Sequence, residues 1–197
     1  MNKMKMKIRV ILASKSARRH EMLRLFGIRF RAFDPDVEEV WSRRESPTKI
    51  VTRLAIEKVK LCPEPDALVI GMDTLVVIGN HKLGKPENAE EVRQMLKLLS
   101  NKTHRVYTGI ALRMRNQMVA YSAVTKVTFR KVTRAERDWY IESGEPFGKA
   151  GAYAIQGLGR LFVDRIDGCF YNVVGFPIAS FQRALGKLGL SIYDLME

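Results

Sequence analysis

The sequence predicts an α/β fold, with one domain over residues 1–197 built on a central, mixed and twisted β-sheet flanked by helices. Strand-like and helix-like segments alternate along the whole chain. A length of 197 residues suits one good-sized core rather than two, and 46% hydrophobic with 28% charged residues is an ordinary globular composition. We expect the domain to fold as two lobes around a cleft.

The first third of the chain is predicted to run strand, helix, strand, helix. Ser16 is placed to cap the first helix and Gly27 to end it. Ser46 followed by proline in the first turn indicates the start of the second helix, and Pro63 stops it. The other predicted segments here are a strand at 8–12, the first helix at 17–26 and a strand at 30–33.

The rest of the chain continues the alternation. Asn88 marks the start of one helix, and the capping box Thr133 to Glu136 marks the start of another. The helix that begins at the capping box ends at Gly144. Pro177 opens a last helix through Leu188. The predicted strands are 67–70, 75–78, 81–83, 106–114, 118–129 and 161–166, with a glycine-rich loop at 148–159.

The composition excludes several classes of protein. No apolar run approaches the ~18–20 residues that span a bilayer, and the basic N-terminus lacks the apolar stretch of a signal peptide. Two isolated cysteines, Cys62 and Cys169, suit the reducing cytoplasm. Only His20, His81 and His104 are available, far apart, so any metal must be a hard ion held by oxygen.

The charge is strongly positive and uneven. The net charge is +13, and residues 1–60 hold 16 Lys and Arg against 7 Asp and Glu. Such a surplus implies an anionic partner, whether nucleic acid, a membrane surface or a polyphosphate. We expect Lys3, Lys5, Lys7 and Arg9 to be a solubilising tail.

Asp73 lies between two aliphatic runs that predict buried strands. An unpaired carboxylate in such a place costs at least ~2 kcal/mol. Either a hydrogen-bond network, a cation or a metal pairs it, or it is a strand-end residue capping a turn after Gly71.

Further segments have two readings each. Ser14 to Arg19 joins the first strand to the first helix, where free N–H groups favour a phosphate, although turn chemistry and a solvated face are the alternative. The carboxylates between Asp34 and Glu39 suit Mg²⁺ or Mn²⁺, or an exposed acidic loop. Lys85 in a Gly-Lys-Pro turn could meet a phosphate or face solvent. Gln156 in the glycine-rich loop could contact a planar ligand, or the segment is simply a flexible glycine loop.

In order along the chain, these segments resemble the Maf family of nucleoside triphosphate pyrophosphatases, first named for inhibiting septum formation. The resemblance implies a Maf/ITPase-like nucleotide cleft and hydrolysis of a triphosphate to a monophosphate and pyrophosphate. The motifs that carry it are 12–19 (LASKSARR), 53–58 (RLAIEK), 71–74 (GMDT), 84–86 (GKP), 103–109 (THRVYTG), 143–146 (SGEP), 149–157 (KAGAYAIQG) and 172–177 (NVVGFP).

The resemblance also implies roles for individual residues. Asp73 would be the general base that deprotonates the attacking water, and Asp73 and Glu39 would hold a divalent cation, Mg²⁺ or Mn²⁺. Fixed cations around a polyanionic transition state agree with this chemistry. The positions that surround the triphosphate are Ser14, Arg18, Arg19, Lys58 and Lys85.

Three positions bear on the base. Arg18, Thr74 and Gln156 match the branch of the family that acts on dTTP and UTP, whereas the 7-methyl-GTP branch has Trp, Gln and Glu there. The resemblance thus implies a cytoplasmic house-cleaning enzyme for pyrimidine triphosphates that has no membrane or nucleic-acid partner. It also allows for modified pyrimidine triphosphates as substrates, for a homodimer and for a link to cell division. The alternative from the charge is a non-catalytic, basic protein that binds nucleic acid or regulates division.

Overall fold

One seven-stranded mixed sheet forms the centre of the computed structural model, which describes residues 8–196. Its spatial order is β2-β1-β3-β5-β6-β7, with β4 pairing to β3, and this confirms the predicted α/β domain. Lys3, Lys5 and Lys7 lie outside the described residues. The strands are β1 (Val10–Ala13), β2 (Arg31–Phe33), β3 (Leu68–Ile78), β4 (His81–Leu83), β5 (Thr103–Met114), β6 (Gln117–Phe129) and β7 (Val163–Asp167).

Six α-helices are present in the described chain, and three of them begin with the predicted caps. Ser46, Asn88 and Thr133 each accept a hydrogen bond from a backbone N–H of the first turn. Ser16 lies at the N-cap position predicted for it, but its side chain makes no such bond. The helices are α1 (Ala17–Leu25), α2 (Pro47–Lys60), α3 (Ala89–Leu99), α4 (Arg134–Glu142), α5 (Phe170–Val174) and α6 (Ile178–Lys187).

Strand β3 replaces the two short strands predicted at 67–70 and 75–78. The polar pair Asp73 and Thr74 interrupts the apolar pattern but not the backbone, because antiparallel pairing with β5 continues without a break through both residues. Asp73 therefore lies in the middle of a strand, and a turn-capping role for it is excluded.

The opposite edge of β3 is forked. Strand β1 pairs in parallel with residues 68–71, and β4 pairs antiparallel with residues 76–78. Residues 72–75 have no strand partner on this edge within the described chain. Chain segments on either side of this gap diverge, and a cleft opens between them.

Helix α2 approaches the sheet closely because two facing residues lack a side chain. A Cβ at Gly71 would lie 2.6 Å from the carbonyl oxygen of Ala55, and one at Gly109 would overlap the backbone of Val51. Close contact of α2 with β3 brings Lys58, near the end of the helix, beside the gap.

Hydrophobic packing covers both faces of the sheet. Leu54 and Val59 of α2 are buried on one face, and Leu23, Leu96 and Phe181 of α1, α3 and α6 on the other. No helix in residues 8–196 has the length and apolar character needed to cross a membrane.

Two differences from the predicted elements lie towards the C-terminus. Residues Leu158–Phe162 form a 3₁₀ turn, so the last strand is Val163–Asp167 and not 161–166. Helix α5 was not predicted, because its five residues are too short to show a helical period. The glycine-rich loop also contains a 3₁₀ turn at Ala150–Ala152.

His104 is buried in this core with its Nε2 atom 2.9 Å from the Tyr153 hydroxyl. Its Nδ1 atom has no hydrogen-bond partner, and its ring meets Phe129 edge-on. Burial lowers the pKa of His104 to about 4. The imidazole is therefore neutral in the folded protein at neutral pH.

We predict that this histidine makes the fold acid-sensitive. Between pH 6.5 and about 4 the unfolded chain binds a proton that the folded chain does not, so the free energy of unfolding falls by about 2–3 kcal/mol as the pH drops. Urea titrations at several pH values measure this. His104→Phe should lack that drop, while the exposed-site control His81→Gln keeps it; equal slopes in both variants would contradict the assignment.

Candidate active site

A cleft of about 400 Å³ lies at the gap in β3. It is bounded by the β1–α1 junction, the segment around residues 35–39, the end of the β4 hairpin and residues 148–150. Eight of the nine sequence-predicted site residues line the cleft or form its walls. The charged lining residues are six cations, Lys15, Arg18, Arg19, Lys58, Lys85 and Lys149, and three carboxylates, Asp36, Glu39 and Asp73.

Asp73 and Glu39 meet at a single ammonium group on the cleft floor. Nζ of Lys58 donates to Oδ1 of Asp73 at 2.5 Å and to Oε1 of Glu39 at 3.2 Å. Nζ of Lys85 donates to both oxygens of Glu39 at 2.8 Å. The sequence predicts that the buried Asp73 needs a partner, and in the structure this partner is Lys58.

Burial sets the proton affinity of the two carboxylates differently. Asp73 is 5% exposed, and burial raises its pKa even though Lys58 opposes the shift. Burial acts in the same direction on Glu39, but Lys58 and Lys85 together outweigh it and leave the pKa of Glu39 lowered. A raised pKa makes Asp73 the better proton acceptor of the pair near neutral pH.

Arg19 is used to build the floor of the cleft. Its guanidinium donates to the carbonyl oxygens of Gly175 and Met72 at 3.0 and 2.9 Å and to the hydroxyls of Ser14 and Thr74 at 3.2 and 2.9 Å. The carbonyl of Met72 lies on the unpaired edge of β3, so Arg19 takes the place of a missing strand there. Four of the five N–H groups of an arginine are thereby occupied.

Arg18, the neighbouring residue, differs from Arg19 in that its buried donor is not paired. Its Nε atom is buried without a partner, and burial lowers its pKa. It also lines a small cavity of about 20 Å³, together with Tyr153, and this cavity shares Arg18, Thr74 and Ala150 with the lining of the cleft. An unpaired buried donor beside a cavity indicates a ligand acceptor.

Gln156 is the one predicted site residue that lines neither cavity. Its Oε1 atom is buried without a hydrogen-bond partner. The structure therefore places an unused acceptor in the glycine-rich loop but does not bring it into contact with the cleft.

The glycine-rich loop is held in place by Glu145, which sequence reasoning did not single out. Its carboxylate accepts from the N–H groups of Leu158 and Gly159 at 2.8 and 3.0 Å and from the hydroxyl of Tyr140 at 2.7 Å. Lys149, in the same loop, was also missed as a lining residue. Only the Ser-Gly-Glu-Pro motif gave a signal for Glu145.

The segment that carries Glu39 is fastened in a similar way. Nζ of Lys82 in β4 donates to the carbonyl oxygens of Ser42, Arg43 and Glu45. Arg53 of α2 donates to the carboxylate of Glu45 and to the carbonyl of Val40. These contacts fix an irregular segment to two regular elements, and Glu39 is thereby held against Lys58.

The donor set fits a hard divalent cation. Glu39 and Asp73 face the same cleft from opposite sides of one ammonium, and Mg²⁺ is commonly held by one or two carboxylates with phosphate and water. Among residues 8–196 no group of three or more Asp, Glu, His or Cys side chains is placed to hold a metal by itself. Substrate phosphate would have to complete such a site.

The chain is similar to known proteins over most of its length. The profile of the family described as Maf-like protein matches residues 9–188. The chain belongs to the Maf family. A dTTP/UTP pyrophosphatase of Bacillus cereus is 44% identical over 186 residues, covering 93% of this chain and 97% of that protein. One of Bacillus anthracis, named in the same way, is 43% identical over the same shares.

A solved structure, the Ham1 protein of Staphylococcus aureus, aligns with a TM-score of 0.41 and 12% identity over 61% of this chain and 71% of its own. The family membership predicted from the motifs is thus confirmed by the profile and the two relatives.

We predict that the adjacent arginines differ in their effect on stability. Arg19→Lys cannot reproduce four bonds in fixed directions, so the free energy of unfolding should fall by roughly 2–4 kcal/mol. Arg18→Lys, the matched control, removes no bond and should cost less than ~1 kcal/mol. Denaturant unfolding measures both, and equal losses would contradict the assignment.

Proposed function

We propose that this Maf-family protein hydrolyses dTTP and UTP to the nucleoside monophosphate and pyrophosphate. The observation that carries the proposal is the pair Asp73 and Glu39, joined by Lys58 on the floor of a cleft with six cationic side chains. A triphosphate fits the positive surplus of this cleft. The names of relatives at 43–44% identity support the same substrates.

In the proposed reaction a water oxygen attacks the α-phosphorus, and Asp73 takes the proton. The bond between the α-phosphorus and its bridging oxygen breaks, and pyrophosphate leaves with the bonding electrons. The raised pKa of Asp73 suits a general base, and its position in a paired strand holds the carboxylate still.

A divalent cation, when bound, would supply charge neutralisation and Lewis-acid polarisation of the phosphate. Glu39 and Asp73 would be its protein ligands. Ser14, Arg18, Lys58 and Lys85 would bind the phosphates, and Lys58 and Lys85 would then exchange carboxylate contacts for phosphate oxygens. Arg19 would act through Ser14 and Thr74, whose positions it fixes.

Base preference would depend on Arg18, Thr74 and Gln156. An amide can both donate to and accept from a pyrimidine edge. The unpaired Nε of Arg18 and the unpaired Oε1 of Gln156 support this, since each is a buried polar atom that a base could pair. Gln156 would have to reach the cleft when substrate binds.

The proposal extends to a cytoplasmic, house-cleaning role, with modified pyrimidine triphosphates as further substrates. The free thiols Cys62 and Cys169 agree with a reducing compartment. No observation favours the alternative of a non-catalytic nucleic-acid-binding or division-regulating protein.

A substrate panel tests the proposal directly. With Mg²⁺ or Mn²⁺, dTTP and UTP should be turned over at least about tenfold faster than GTP and 7-methyl-GTP, and the products should be monophosphate and pyrophosphate. Chromatography of the nucleotide and an assay for pyrophosphate measure this. Release of diphosphate and orthophosphate, or no turnover of any pyrimidine triphosphate, would refute it.

Asp73→Asn should remove the base while keeping the shape of the site. We expect kcat to fall by about 10²–10⁴-fold, with the far-UV spectrum and nucleotide binding retained. Asp66→Asn, an exposed aspartate outside the cleft, is the matched control and should keep full activity. Loss of the folded state in the first variant, together with unchanged activity per folded molecule, would show that Asp73 is only structural.

A further inference from the structure

Glu145 and Tyr140 join helix α4 to the glycine-rich loop on both sides of Gln156. The Tyr140 hydroxyl donates to Oε1 of Glu145 at 2.7 Å and accepts from the N–H of Ala154, before Gln156, at 3.2 Å. The Glu145 carboxylate accepts from two backbone N–H groups after Gln156 at 2.8 and 3.0 Å. Only residues 155–157 lie between these anchors, so the backbone at Gln156 is held from both sides.

Two glycines of the loop are required by the same pair of side chains. A Cβ at Gly157 would overlap the carboxylate of Glu145, and one at Gly159 would lie 2.8 Å from the hydroxyl oxygen of Tyr140. The loop backbone therefore runs directly against the carboxylate and the phenol, with no space for a side chain between them. A change at Glu145 must for this reason shift the backbone of the residue that follows Gln156.

The pair is itself fixed to a regular element. Tyr140 lies in α4 and is fully buried, and Glu145 follows the end of that helix. The hydroxyl of Ser143 donates to the carbonyl oxygen of Tyr140 at 2.6 Å and accepts from the N–H of Glu145 at 3.2 Å. The place of the loop is thus set by the helix through these two side chains.

Glu145 holds the loop as an ionised acceptor. Burial acts to raise its pKa, but the N–H groups of Gly159 and Leu158 and the hydroxyl of Tyr140 outweigh burial and leave the pKa lowered. An ionised carboxylate accepts all three hydrogen bonds, whereas an amide presents a donor at one of its two positions. Glu145→Gln therefore loses at least one of these bonds while it keeps the size of the side chain.

The loop that the pair holds forms one wall of the small cavity. Ala154 and Ile155 line this cavity together with Arg18 and Thr74. Gln156 follows directly in the chain, and its buried Oε1 atom has no hydrogen-bond partner. The anchors on either side of Gln156 thus decide where it lies relative to the other two positions proposed to read the base.

We propose that Glu145, acting with Tyr140, is a positioning residue for base recognition, which sets the place of Gln156 and takes no part in cleaving the phosphate bond. The inference rests on the proposed hydrolysis of dTTP and UTP. Glu145 lines neither the cleft nor the small cavity, so it acts through the loop. Its loss should raise KM and leave kcat unchanged, because contacts to the base are equal in the ground state and the transition state.

Steady-state kinetics of Glu145→Gln test this with UTP and with ribose 5-triphosphate, which has the same scissile bond but no base. For UTP, kcat/KM should fall at least about tenfold, through KM. For ribose 5-triphosphate, kcat/KM should stay within about twofold of the wild-type value, because no base contact is lost. Glu142→Gln, at the exposed end of α4, is the matched control and should change neither value.

Two further variants make the test independent of how well Glu145→Gln folds. Tyr140→Phe removes the bonds to Ala154 and Glu145 and keeps the ring in the core, and it should lower kcat/KM for UTP with the same selectivity. In a Gln156→Ala background, Glu145→Gln should cause no further loss for UTP, since Glu145 acts through Gln156.

Each outcome decides. Equal losses for UTP and ribose 5-triphosphate, no loss for UTP, or a full additional loss in the Gln156→Ala background would overturn the inference and leave the proposed function standing. If Glu145→Gln does not fold, Tyr140→Phe is judged by the same comparison of the two substrates. Absence of any pyrimidine triphosphate turnover by the wild-type enzyme would overturn both.

Discussion

The gap in strand pairing along one edge of β3 is the constraint on which the rest of the structure depends. A strand inside a sheet is normally paired along both edges, so that its backbone N–H and C=O groups are all covered by neighbouring strands. Here β1 and β4 use the two ends of one edge and leave residues 72–75 open between them. The backbone stays fixed through β5, so Asp73 is both accessible and held in place.

A gap of this kind leaves buried polar groups without a strand partner, and in this protein cationic side chains pair with them. Arg19 takes the free carbonyl of Met72, and Lys58 takes the carboxylate of Asp73. Both cations are buried, at 8% and 7% exposure, where desolvation is costly unless the partners are close. Arg19 uses its donors within the protein and therefore has a structural role. Lys58 instead donates to two carboxylates at once, and a bound substrate with its cation could separate these contacts.

Much of the fold followed from the sequence, since caps and apolar periods act locally. Asn88 and Thr133 start helices because their side chains reach the first turn, whatever the rest of the chain does. The splitting of β3 into two predicted strands was wrong, because continuity there depends on pairing with β5, which is far away in sequence. Likewise nothing local distinguishes Arg18 from Arg19: the rotation of about 100° between consecutive residues of a helix decides which side chain enters the floor and which faces the cavity.

Thr74 shows how far the floor of the cleft is tied into the core. Its hydroxyl accepts from Arg19, and because the Thr108 hydroxyl donates to the carbonyl of Asn172, Thr74 must donate to Thr108. The amide of Asn172 donates in turn to Thr125 on β6. A buried polar chain of this kind is stable only when each donor finds its acceptor, and this requirement fixes the side chain beside Asp73 in one orientation. Thr74, for which we propose a role in base preference, is thus held by the sheet itself, so its hydroxyl cannot turn to follow a ligand without breaking its hydrogen bonds to Arg19 and Thr108.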